Sequence, residues 1–152
     1  MMKILNLKEK DKQDIIAISK ELKEWFNEKG RKDLKIDLNV DPAIVIKEKN
    51  KVIGFLIYAS ENGIMKIIWL GVKRIYQNKG AGKMMVKWIE DKAKKLGLKA
   101  IEVETLTDKE DYEPYEKTRK FYYKHGFNKI AYLMPRFKGW DREILLRKEI
   151  QK

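Results

Sequence analysis

Ile67-Ile68-Trp69-Leu70-Gly71-Val72-Lys73-Arg74-Ile75-Tyr76-Gln77-Asn78-Lys79-Gly80-Ala81-Gly82-Lys83 is the stretch on which the reading of this chain turns. An apolar run of strand character enters a short polar turn with two glycines one residue apart, and a long amphipathic helix follows from Met84-Met85. Glycine lets a backbone approach an anion closely, and the first N–H groups of a helix have no partner inside it. Lys79, Lys83 and Lys87 add positive charge at the same end. The layout is that of a phosphate cradle, with the N–H groups of Asn78, Gly80, Ala81, Gly82 and Lys83 able to converge on one group.

Two common phosphate loops are excluded. A Walker loop needs glycine five residues before the Gly-Lys pair and Ser or Thr after it, where this chain has Gln77 and Met84. A dinucleotide fingerprint needs a third glycine where Met85 stands. What remains is Gln77-x-x-Gly80-x-Gly82 directly after a strand, followed further on by Phe121-Tyr122-Tyr123-Lys124-His125-Gly126-Phe127. The first pattern resembles the acetyl-CoA loop of the GNAT N-acetyltransferase superfamily. The second resembles that family's Phe-Tyr-x-Lys-x-Gly-Phe signature, in the same order and at similar separation.

Composition sets the outer bounds. The 152 residues suffice for one domain spanning 1–152 with a single core. No apolar run is long enough to cross a bilayer and no signal-peptide pattern opens the chain. With no cysteine, disulfide and thiol chemistry are excluded, and a cytoplasmic location is the simplest expectation. The formal charge is +12, but the lysines are scattered among apolar residues at helix and strand spacing, as on solvated faces. No basic run interleaved with aromatics marks a specific nucleic-acid site, and neither membrane nor metal partners are expected.

Along the chain, strands are expected over 3–7, 43–49, 52–60, 64–73, 100–106, 127–133 and 142–149. Asn62-Gly63 supplies a hairpin turn. Helices are expected from Asp11 to a stop at Gly30, from Gly80 to Leu96, and from Glu113 or Pro114 to Gly126; Leu34 to Leu38 is ambiguous. The order β-α-β-β-β-α-β-α-β-β implies an α+β (mixed α/β) fold, a central mixed and mostly antiparallel sheet with helices on both faces. The GNAT fold has this order.

The resemblance implies an acetyl-CoA-dependent N-acetyltransferase in which a primary amine, on a small molecule or peptide, attacks the thioester directly. A homodimer is compatible with it. It places acetyl-CoA on Gln77, Asn78, Lys79, Gly80, Ala81, Gly82 and Lys83, with the pantetheine arm on the backbone of Leu70 and Val72. In the family a bulge near Gly71 opens the sheet for that arm; the alternative reading of Gly71 is a simple packing glycine. It also gives Tyr122 the role of acid toward the departing thiolate, although the residue reads as a core aromatic too. Where some relatives carry a glutamate base, this chain has Lys66, so Glu104 near the end of its strand is the candidate base or an exposed carboxylate. Tyr112, Tyr115 and Trp140 are candidate acceptor contacts beside loops, or local packing. His125, the only histidine, has no metal partner in the sequence. The contrasting readings are a non-catalytic CoA sensor and a basic nucleic-acid module.

Overall fold

A computed structural model describes residues 1–135 and 141–150. The chain forms two compact units, Met1–Ala59 with Ile67–Ile89, and Ser60–Lys66 with Glu90–Lys152. Among the described residues there are seven strands and four α-helices. The pairings β1/β2, β2/β3, β5/β7 and β6/β7 are all antiparallel, which gives the mostly antiparallel mixed α/β architecture that the sequence implies.

In the first unit, β1 (Met2–Asn6), β2 (Ala43–Glu48), β3 (Lys51–Glu61) and β4 (Ile64–Val72) follow one another in the sheet. Strands β2 and β3 read as continuous apolar runs because both of their faces are covered. One face packs Val45, Phe55 and Ile57 against Ile15 and Ile18 of α1 (Lys12–Glu21), Leu22 just past its end, and Leu34 and Leu38 of α2 (Glu28–Val40). On the other face, Tyr58 meets Trp88 of α3 (Ala81–Lys95) edge-on with ring centroids 5.4 Å apart. Side chains such as Phe55, fully buried here, each contribute roughly 1.5–3 kcal/mol by leaving water.

The helix expected from Asp11 to Gly30 is two helices. Helix α1 ends at Glu21, where Leu22 leaves the helical region, and Asn27 starts α2 by accepting the Gly30 N–H at 2.8 Å. Gly30 therefore lies in the first turn of a helix, and the ambiguous Leu34 and Leu38 form its buried face. Asp11 does not cap α1 with its side chain. It turns back to accept the Lys8 N–H at 3.0 Å and pairs with Lys47 Nζ at 3.0 Å. A register shift after Ile46 leaves Ile53 as an extra residue of β3 and brings Val52 opposite Lys47, which lies on the face of Val45 and Phe55 by ordinary alternation along β2.

In the second unit, β5 (Ala100–Leu106), β7 (Glu143–Glu149) and β6 (Asn128–Leu133) lie side by side in that order. Ile101, Val103, Ile144 and Leu146 form its buried face, and α4 (Glu113–Lys124) packs against β5. Glu102 and Arg147, opposite each other in register, pair across the other face at 3.1 Å. Asp108, just past β5, is strapped to β6 by Lys129 Nζ at 2.7 Å and the Tyr132 hydroxyl at 3.2 Å.

Asp11 links this fold to pH. Burial alone would raise its pKa, but the Lys8 N–H and Lys47 outweigh burial and hold it below the ordinary carboxylate value. A depressed carboxylate stabilises the folded state above its unfolded pKa and stops doing so as pH falls through the folded one. Asp11→Asn should cost about 2–3 kcal/mol in urea unfolding at neutral pH, because Lys47 loses its buried partner. The gap between wild type and variant should close as pH drops below about 4.

Candidate functional site

The strand-to-helix turn is built by side chains that fasten it and by backbone that leaves its far end open. After β4, the Lys73 N–H donates to Ile53 O at 2.8 Å, and residues Arg74–Tyr76 make one 3₁₀ turn. Arg74 anchors that turn: its guanidinium forks onto the Glu24 carboxylate, both contacts 2.8 Å, and its N–H donates to Glu21 at 3.0 Å. Gln77 Nε2 donates to Val72 O at 3.0 Å, tying the loop to the strand end. The Gln77 amide thus serves the loop's shape, and Val72 O already accepts one bond.

Two residues then enter the left-handed region, Asn78 at φ +61° and Gly80 at φ +96°. A Cβ on Gly80 would meet nothing within 4 Å, so backbone conformation, not crowding, requires glycine there. Helix α3 starts at Ala81, and its first bond runs from the Met84 N–H to Gly80 O at 3.0 Å. The N–H groups of Ala81, Gly82 and Lys83 lie ahead of that bond and have no carbonyl within the helix to reach. Ala81 is buried, while Asn78, Lys79, Gly80 and Lys83 are exposed. Gly82 is helical, so its φ does not call for glycine, and glycine there costs about 1 kcal/mol against alanine. What glycine provides at 82 is bare backbone over a helix N-terminus, the arrangement that accommodates an anion.

Gly71 has a packing role. A Cβ there would come within 2.8 Å of the Phe55 ring and 3.5 Å of Phe26. Leu70 is half-buried and Val72 buried at the end of the same strand.

The second motif lies on α4. Only Arg119 and Tyr122 of this helix are buried. The Tyr122 ring meets Phe121 and Phe127 edge-on, both at 5.2 Å, and burial pushes its pKa well above the ordinary phenol value. Tyr123 points outward. Tyr112, at the N-cap of α4, lies 5.8 Å from Tyr115 ring to ring. The Tyr115 phenol is pushed up to about 12 by burial and then by Glu143, Tyr112 and Asp141. Glu104 and Thr105 project from opposite faces of β5; Glu104 is exposed and Thr105 is buried. Trp140 lies outside the described residues. His125 ends α4 with its ring 4.6 Å from Phe121. Among the described residues no group of three or more His, Cys, Asp or Glu side chains could hold a metal, and no helix is long and apolar enough to cross a membrane.

The acetyltransferase (GNAT) family model matches residues 12–127. The chain belongs to the GNAT acetyltransferase family. The structure of a GNAT-family protein from Desulfovibrio desulfuricans superposes with a TM-score of 0.83 at 17% identity, covering 99% of this chain and 100% of that one. The ribosomal-protein-S18-alanine N-acetyltransferase of Escherichia coli gives 0.78 at 17%, covering 100% and 96%. The PaiA N-acetyltransferase of Thermoplasma acidophilum, in complex with coenzyme A, gives 0.75 at 18%, covering 98% and 99%. At these identities the likeness is one of fold. No curated protein matches the sequence.

Two features of this acetyltransferase escape sequence reasoning. The Thr105 hydroxyl is buried with no hydrogen-bond partner among the described residues. Arg119, 6% exposed, donates from one nitrogen, Nη1, to Leu106 O at 2.9 Å and Thr107 O at 3.2 Å. The one available signal was an arginine three residues before Tyr122, on the stripe where an apolar residue belongs. At the loop, Gly80→Val should lower stability by at least about 1 kcal/mol through backbone strain alone, since its side chain would enter open space. Thermal unfolding checks this, and Lys79→Val as a control should change little.

Proposed function

We propose that this acetyltransferase moves an acetyl group from acetyl-CoA to a primary amine. The observation that carries the reading is the glycine at 82 in the first turn of α3, behind the left-handed Gly80. It leaves unpaired N–H groups uncovered, and the pyrophosphate of CoA is the anion that suits them. The PaiA enzyme and an aminoglycoside 6'-N-acetyltransferase of the same fold were both solved with coenzyme A, which supports the choice. The backbone of Asn78 to Lys83 holds the pyrophosphate, Lys79 and Lys83 screen its charge, and the backbone of Leu70 and Val72 takes the pantetheine arm. Gln77 contributes by fixing the turn to Val72 O.

In the transfer, the amine nitrogen bonds to the thioester carbonyl carbon and the C–S bond breaks. The amine's proton goes to a base and the thiolate gains one from an acid. Tyr122 is the acid. Burial keeps its phenol protonated over the working range, so it always has a proton to give. Glu104 is the carboxylate available as base, reached directly or through water; being exposed, it suits the second route. The Tyr112–Tyr115 pair contacts the acceptor. The acidic Glu143 and Asp141 beside Tyr115 favour a cationic amine over an anionic one.

Calorimetry with CoA and thiol release with acetyl-CoA test the two halves separately. The amine panel should hold diamines, amino acids, aminoglycosides and peptides with free N-termini. Gly82→Asp should remain folded and lose CoA binding, through bulk and negative charge at the phosphate. Unchanged affinity would rule out the loop assignment. Tyr122→Phe should keep CoA affinity and lose about 10²–10⁴-fold in kcat. Because the Tyr122 pKa is raised, wild-type kcat should show no alkaline fall attributable to it below about pH 10. CoA binding without transfer to any amine would make the protein a sensor.

A further inference from the structure

Arg119 is the one buried cationic side chain among the described residues of a chain with 35 lysines and arginines. A guanidinium out of water needs hydrogen bonds in return, and here Nη1 bridges two successive main-chain carbonyls, Leu106 and Thr107. Leu106 is the last residue of β5 in register with β7, opposite Glu143, and the Thr107 N–H still donates to Arg142 O at 3.0 Å. The bridge therefore grips the strand where its pairing stops. Its other end is on α4, and the only other buried residue of that helix is Tyr122, one turn further on.

That geometry constrains more than stability. A helix packed only by apolar contacts can slide or roll by fractions of its 1.5 Å rise at little cost. Two hydrogen bonds from one planar group to a fixed strand end remove that freedom. The ring contacts of Tyr122 are to Phe121 on its own helix and to Phe127 just before β6, and the Arg119 clamp is what ties the helix by hydrogen bonds to the end of β5. Misplacing a reacting group by about 1 Å can cost 10²-fold in rate.

We propose that Arg119 is a positioning residue: its clamp on the Leu106 and Thr107 carbonyls sets the place at which Tyr122 presents its hydroxyl to the departing thiolate. Arg119 itself touches no reacting atom. The inference rests on the acid role given to Tyr122 above.

A double-mutant cycle tests it, with thiol release measured for wild type, Arg119→Met, Tyr122→Phe and the double variant. Acetyl-CoA and the amine giving the fastest wild-type release are used throughout. Arg119→Met should lower kcat at least tenfold and leave KM for acetyl-CoA within twofold. In the Tyr122→Phe background the same substitution should cost less than twofold, because there is no longer a proton donor to misplace. Arg119→Lys, which keeps the charge on a shorter and non-planar group, should fall between Met and wild type, and it carries the same cycle if Arg119→Met does not fold. An equal loss in both backgrounds overturns the proposal, since a general structural role would act whether or not Tyr122 has its hydroxyl. Wild-type kcat in the Arg119 variants also overturns it while leaving the acid role of Tyr122 intact. Wild-type kcat in Tyr122→Phe overturns both.

Discussion

A side chain at position 71 would occupy the space of the Phe55 ring, and much of the first unit follows from that exclusion. Gly54, beside Phe55, faces the same constraint from the other side: a Cβ there would come within 2.8 Å of Ile46 and 3.0 Å of Gly71 O. Two strands thus approach so closely that each gives up a side chain to the other. The gain is a dense layer in which the Phe26 ring lies 6.1 Å from Phe55 and 5.6 Å from Trp69. Trp69 adds a hydrogen bond from Nε1 to Asp37 at 2.7 Å, which draws α2 onto the same strand. The end of β4, and with it the start of the turn, is therefore held by core packing before any ligand is considered.

The turn inherits that rigidity and spends it on a gap in its own hydrogen bonding. Arg74 and Gln77 fasten the near side to α1 and β4, so the far side can keep N–H groups without partners. Unpaired donors on a mobile loop would be satisfied by water or by rearrangement. On a fixed helix end no rearrangement can pair them, so only water or a ligand can, and an anion meets them without the ordering cost a flexible loop would carry.

What could be read in advance divides along the range of the forces involved. The turn was legible because its demands are local: left-handed backbone at Gly80, and bare backbone at Gly82, are written in residue type. Strands β2 to β4 were legible from apolar runs and Asn62-Gly63, and α3 from its stripe. The break between α1 and α2 was not. Gly30 is a common stop signal, and the contrary information, that Asn27 reaches the Gly30 N–H, depends on which of two adjacent polar residues faces the chain. Asp11 misled similarly: an acidic residue before a helix reads as a cap, but a lysine 36 positions later in sequence, on the core-facing side of β2, took its carboxylate instead. Arg119 was illegible for the strongest reason. Its partners are main-chain carbonyls, and no residue type at 106 or 107 announces them.

This contrast also explains what the large positive charge does and does not do. Pairs such as Lys117–Glu113 and Lys120–Glu116 sit one turn apart on the exposed side of α4, where such contacts are worth about 0.2–0.5 kcal/mol and are screened by salt. Any of them could be exchanged for another polar pair without moving a backbone atom. Arg119 lies on the opposite side of that helix, and Asp11 is its counterpart in the first unit. Each is a buried charge held by main-chain groups, so each fixes a position and not only a sum of charges. Substitutions among such exposed pairs therefore leave the backbone where it is. Asp11 and Arg119 have no such freedom, because each is hydrogen-bonded to main-chain groups and so sets where an element of backbone lies.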